Sequence, residues 1–139
     1  MDRVIDAFAA RTIGGVRLVG YSGGAAVAVL VAAGRRDLLD LRTVAGNVST
    51  SRFAAMHRVS PYVGSLDPAN AADRLARVPQ IHFVGGRDTI VPRMIAEDYA
   101  ARVGASSCVL IATVAMASHN QGWAETWPTL SGQRPVCGP

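Results

Sequence analysis

The stretch that decides the fold reads Val16-Arg17-Leu18-Val19-Gly20-Tyr21-Ser22-Gly23-Gly24 and runs on through an apolar segment to Ala33 and Gly34. Val16-Arg17-Leu18-Val19 reads as a short strand. Gly23 to Ala33 is almost wholly apolar and reads as a helix that Gly34 stops. Between them lies Gly20-Tyr21-Ser22-Gly23-Gly24, a G-x-S-x-G pattern set between a strand and a helix. A serine at the tip of so sharp a turn sits in a strained backbone conformation. Small residues at Gly20 and Gly24 are expected to let strand and helix approach. The turn lifts the Ser22 hydroxyl off the sheet, and the helix N-terminus behind it favours negative charge. The Gly23 N–H can then face a developing oxyanion. Alone, the pattern also fits a tight βα turn or a phosphate cradle, so its meaning depends on the rest of the chain.

Working outward, Val4, Ile5, Phe8 and Ala9 recur at helical spacing, so residues 2–12 read as an amphipathic helix ended by Gly14-Gly15. Leu39 to Val48 contains a second strand, with Leu41, Val44 and Ala45. Residues 49–78 are mixed, with short helical stretches expected around Ser60-Pro61 and Asp67-Pro68. Ile81 to Gly85 is a third strand, Pro92 to Val103 a helix with proline near its first turn, Val109 to Met116 a fourth strand, and Gly122 to Leu130 a last short helix. Strands alternate with helices and are apolar runs rather than apolar/polar alternations. This predicts an α/β fold with a parallel sheet of about four strands flanked by helices on both faces. Reactive groups in such sheets gather at the carboxyl ends of the strands.

Three candidates sit at those ends. Ser22 follows the first strand. Asp88 follows the third, in Gly85-Gly86-Arg87-Asp88-Thr89-Ile90-Val91-Pro92. His119 follows the fourth, in Ala117-Ser118-His119-Asn120. Taken singly, Asp88 reads as a turn or helix-capping residue and His119 as an ordinary loop histidine. Taken together, Ser, Asp and His in that chain order form a catalytic triad. His119 takes the Ser22 proton and returns it to the leaving group, and Asp88 fixes the imidazole tautomer. His82, between Ile81 and Phe83, reads as a buried core residue and His57 as a surface one. Trp123 and Trp127 read as helix packing.

The motifs GYSGG, VGGRDTIVP and ASHNQGW, spanning Gly20 to Trp123, resemble those of α/β-hydrolase family serine hydrolases. The resemblance implies hydrolysis of an ester or related acyl bond through an acyl-enzyme, with a small-molecule substrate, no metal and no organic cofactor. Gly23 would be the oxyanion donor and Tyr21 a substrate contact. The resemblance covers the C-terminal half of the family's fold, from the nucleophile elbow to the catalytic histidine. The four strands correspond to the family's fifth to eighth, so residues 1–139 form one hydrolase-like domain lacking the N-terminal strands. Residues 49–78 stand where the family inserts a lid or cap, and Phe53, Met56, Tyr62 and Leu66 are candidates to line an acyl pocket. No HGGG-like sequence precedes the elbow to supply a second oxyanion donor. Two accounts of the short N-terminal part stand side by side: a longer parent hydrolase, or a half-domain that forms a homodimer across the bare edge of Val16–Val19. The alternative function is a weak or inactive hydrolase-like domain with a structural or binding role.

Composition agrees with one domain. The chain has 139 residues, 50% hydrophobic and 17% charged, too apolar for a disordered chain and with enough length for a core. The run Ala25–Ala33 is about half of the ~20 residues a membrane-spanning helix needs. The net charge is +4, and all 14 basic residues are arginines. They are scattered, with little aromatic interleaving, so a solvated surface is expected rather than a nucleic-acid site. Asp2 and Asp6 argue against a signal peptide, and the chain as it stands reads as cytoplasmic. Cys108 and Cys137 fit no metal spacing. Cys108 begins the fourth strand, and the last helix and tail bring Cys137 back toward that end. A disulfide is one reading and two free thiols, one of them buried, the other; a disulfide in a piece of a longer exported chain would imply a periplasmic or secreted protein.

Overall fold

The computed structural model describes residues 2–10, 14–104 and 108–138. The elements follow in the order α1 (Asp2–Ala9), β1 (Val16–Tyr21), α2 (Gly23–Ala32), β2 (Leu38–Val44), α3 (Thr50–His57), a 3-10 helix (Pro68–Leu75), β3 (Gln80–Gly85), α4 (Arg93–Val103), β4 (Val109–Val114) and α5 (Trp123–Gly132). Residues 11 and 12 of the expected first helix lie outside the described residues.

The four strands form one parallel sheet in the order β1-β2-β3-β4. Parallel pairing puts every carboxyl end on the same side. Tyr21 pairs with Val44 and Gly85 with Val114 at that side, so the loops carrying Ser22, Asp88 and His119 leave the sheet together.

Two apolar layers enclose the sheet. On one face, Leu41 and Val48 pack with Ala25, Val29 and Ala32 of α2, Leu75 of the 3-10 helix, and Ile95, Tyr99 and Val103 of α4. On the other, Val44, Ile81 and Phe83 pack under Trp123 and Leu130 of α5. β3 is buried throughout, as a strand covered on both faces should be. The outer strands are not: on the face where α5 packs, Val19 and Leu110 are each about half exposed. Among the described residues, the outer edge of β1 pairs with no strand.

The second strand differs from its apolar reading. It begins at Leu38 and carries Asp40 and Arg42, both buried. Their charges are tolerated because they are paired. Asp40 accepts from Arg42 Nε at 2.9 Å and from Arg17 Nε at 2.8 Å, and Arg42 Nη1 donates to Ser131 O.

In residues 49–78, the first helix lies earlier than expected. α3 ends at His57, capped by Arg58 in the left-handed region at φ 55, and Ser60-Pro61 is irregular. A residue before proline is steered out of the helical region, so Ser60-Pro61 ends helical structure rather than centring it. The stretch at Asp67-Pro68 does form. The Asp67 carboxylate accepts from Thr50 N, Ser51 N and Ala69 N, fastening the starts of both helices. Burial pushes the Asp67 carboxyl up. The hydrogen bonds from the Ser51 side chain and from these amides outweigh it, and hold the group below the usual carboxylate range.

Cys108 and Cys137 form a disulfide. It ties the C-terminal tail to the start of β4, at the end of the sheet away from the three loops. No helix among the described residues is long and apolar enough to cross a membrane.

Candidate active site

Ser22 stands between the last residue of β1 and the first of α2 with φ 51 and ψ −122. A non-glycine residue there is strained by roughly 1–3 kcal/mol and persists only where its surroundings hold it. They do so through the backbone. Ser22 N donates to Val44 O at 3.0 Å, and Ser22 O accepts from Asn47 N at 3.0 Å and Ala25 N at 3.1 Å. The turn has one steric requirement, at Gly20. A Cβ there would lie 2.5 Å from Ala25 Cα, so strand and helix touch backbone to backbone. Gly24, expected to serve the same end, faces open space. The second close approach falls at Gly46, where a Cβ would meet Ala25 Cβ at 2.8 Å.

Asp88 is 5% exposed and divides its two oxygens. Oδ1 accepts from Ile90 N at 2.9 Å and Val91 N at 2.8 Å, which is the turn-capping role a lone aspartate would have. Oδ2 lies 2.9 Å from His119 Nδ1. The other imidazole nitrogen, Nε2, is 2.9 Å from Ser22 Oγ. The three sequence candidates thus form one hydrogen-bonded line. Because Oδ2 of an ionised carboxylate only accepts, Nδ1 carries a proton and Nε2 of a neutral ring is left as the acceptor for the serine hydroxyl.

The loops after β3 and β4 are locked together. Gly86 N donates to Val114 O and Arg87 N to Ala117 O, both at 2.9 Å. A Cβ on Gly85 or Gly86 would come within 2.6 Å of the carbonyl oxygens of Ala117 or Ala115. The glycine pair before Asp88 therefore has a packing reason that the motif reading did not assign.

Gly23, expected as an oxyanion donor, is the first residue of α2, and N–H groups in the first turn of a helix have no partner within the helix. Tyr21, expected as a substrate contact, directs its hydroxyl to His119 O at 2.7 Å. Trp123 is part of the helix packing, and its Nε1–H also donates to Ser118 O at 2.9 Å and His119 O at 3.0 Å. Of the remaining candidates, Phe53 and Met56 pack on the core, while Tyr62 and Leu66 are exposed. His57 is exposed and donates to Ile90 O at 2.7 Å. His82 is fully buried, 2.8 Å from Thr43 Oγ1.

The chain belongs to the serine hydrolase (FSH1) family. That family's profile matches residues 2–119, ending on the histidine of the line just described. Among curated proteins no match is found. Solved structures share the α/β-hydrolase fold at low identity. An esterase of Pyrococcus furiosus superposes with a TM-score of 0.65 at 16% identity, over 86% of this chain and 52% of its own. The Paleococcus ferrophilus monoacylglycerol lipase gives 0.67 at 13%, over 93% of this chain and 71% of its own. Mouse alpha/beta hydrolase domain-containing protein 10 gives 0.63 at 17%, over 94% and 64%. This member of the family thus spans about half the length of the Pyrococcus esterase. Its sheet is the partial fold that the motif resemblance implies.

Proposed function

We propose that this chain hydrolyses an ester or related acyl bond of a small molecule through an acyl-enzyme formed on Ser22. The observation that carries the reading is the unbroken line from Ser22 Oγ through His119 to Asp88, with both hydrogen bonds at 2.9 Å. In acylation, Ser22 Oγ attacks the acyl carbon while its proton passes to His119 Nε2. The carbonyl π-pair moves onto oxygen, faced by the Gly23 N–H. Collapse expels the leaving group, which takes the proton from His119. Water then attacks the acyl-Ser22 ester, gives a proton to His119 Nε2, and the second collapse returns that proton to Ser22 Oγ. Asp88 stays ionised and stabilises the imidazolium in both halves.

Residues 49–78 are the proposed cover of this site. The contact of His57 with Ile90, two residues past Asp88, supports that placement. Steady-state hydrolysis of short-chain p-nitrophenyl esters tests the reading. The wild type is expected to turn over, and Ser22→Ala and His119→Ala to fall by at least ~10³-fold. Equal rates in all three would refute it.

A second reading has its own observation. β1, whose outer edge pairs with no strand among the described residues, contributes Val19 and Tyr21 to an apolar groove of about 310 Å³ lined also by Val44, Trp123 and Trp127. A weak or inactive hydrolase-like domain that pairs with a second copy across Val16–Val19 would cover it. A folded, monodisperse dimer with no ester turnover would favour that reading.

A further inference from the structure

We propose that Tyr21 is a positioning residue that holds the His119 loop at hydrogen-bonding distance from the neighbouring Ser22. The proposal rests on the triad reading above. Tyr21 is the last residue of β1 and is bonded through the chain to Ser22. Its hydroxyl donates to the main-chain carbonyl of His119, 98 residues away, at 2.7 Å, and its ring stands 5.7 Å from the imidazole, centroid to centroid. One side chain therefore connects the backbone that presents the nucleophile to the backbone that presents the base.

The rest of the loop shows why this contact matters. His119 needs its ring fixed and its main chain fixed. Asp88 fixes the ring at Nδ1. Arg87 N and the Ser118 N to Gln121 O turn hold the loop just before the histidine, and the His119 carbonyl oxygen itself is gripped from two sides. Tyr21 reaches it from β1, and Trp123 reaches it from α5 through Nε1–H at 3.0 Å. During acylation the serine oxygen transfers its bonding to the substrate carbon, and His119 loses the neutral partner at Nε2. The carbonyl anchors are unaffected by that step and keep the imidazolium in reach of the leaving group. A displacement of about 1 Å costs on the order of a hundredfold in rate, so such anchors act on the transition state.

The same geometry argues against the substrate contact that the motif suggests. A phenol has one proton to donate. Here the hydroxyl faces His119 O at 2.7 Å and Asn120 Oδ1 at 3.0 Å, both oxygens of the histidine loop. Its donor is already engaged within the protein.

Tyr21→Phe keeps the ring and removes only the hydroxyl, at a position 46% exposed, where the fold should tolerate it. On a short-chain p-nitrophenyl ester, kcat is expected to fall about five- to tenfold, the size of one net hydrogen bond, with KM within about twofold of wild type. Proton NMR of the His119 Nδ1–H, hydrogen-bonded to Asp88, supplies a readout that needs no turnover. Its resonance should broaden in Tyr21→Phe through faster exchange with water. A raised KM at unchanged kcat would make Tyr21 a substrate contact and overturn the proposal, as would wild-type kcat with an unchanged resonance. Ester hydrolysis that survives Ser22→Ala would bring down the triad reading instead. The imidazole resonance would still decide whether Tyr21 holds His119.

Discussion

The loops after β3 and β4 and the segment 58–66 are all irregular backbone, but they are built differently. Asp88 and Ala117 are buried. The two loops hydrogen-bond to each other through Gly86 and Arg87, and they touch where no side chain would fit. In segment 58–66, by contrast, Val59 and Tyr62 are about half exposed, Leu66 is 74% exposed and Val63 is 95% exposed. Its backbone is tied by local turns such as Val63 N to Pro61 O and Ser65 N to Tyr62 O. Proton transfer needs fixed distances, and close-packed backbone supplies them. A surface that meets varied acyl groups needs apolar area and room to adjust. Under the proposed reading the loops after β3 and β4 take the first task and segment 58–66 the second, and His57, just before that segment, reaches Ile90 O at 2.7 Å.

The largest expected effect strikes the rigid region. Asp88→Asn preserves shape but offers His119 a donor in place of an acceptor, and kcat is expected to fall by ~10⁴-fold; a drop under tenfold in the ester assay would separate Asp88 from the chemistry. Next comes packing. Gly86→Val places a Cβ 2.6 Å from Ala115 O and is expected to cost about 2–4 kcal/mol, whereas Val63→Ser should stay within about 0.5 kcal/mol. Thermal melts of the two variants check the contrast, and equal shifts would erase the difference between the regions.

The scaffold beneath gives the third expectation, in pH. Burial pushes the His82 imidazole down to about 4. Unfolded, the group titrates near 6.5. Between these values the unfolded chain binds the extra proton, so stability is full above pH 6.5 and declines as the pH falls to about 4. The loss is on the order of 3 kcal/mol. Urea midpoints across that range should show the slope, and His82→Gln should flatten it; a slope unchanged by the substitution would assign it elsewhere.

Much of this was legible in the sequence, for reasons visible in particular residues. Ser22, Asp88 and His119 could be found because each follows an apolar strand run, and because few residue types suit the turn at Gly20. The disulfide was one of two readings left open by where β4 begins and α5 ends, and the structure decides between them. Three features were hidden. Asp40 and Arg42 interrupt the hydropathy of β2, and only their pairing across strands makes them core residues. Ser60-Pro61 marks the end of a helix rather than its centre. Tyr21 and Trp123 act on a main-chain carbonyl, and no side-chain pattern encodes a hydrogen bond to backbone 98 residues away. The tryptophan four residues past His119 was the one available hint.

The central claim is that Ser22 is an activated nucleophile held by His119 and Asp88. Labelling the folded chain with a fluorophosphonate probe and mapping the adduct by peptide mass spectrometry tests it most directly. The account predicts a single adduct on the Ser22 peptide, absent in Ser22→Ala and strongly slowed in His119→Ala. Equal labelling of wild type and Ser22→Ala, or no labelling of a chain shown to be folded, would contradict it.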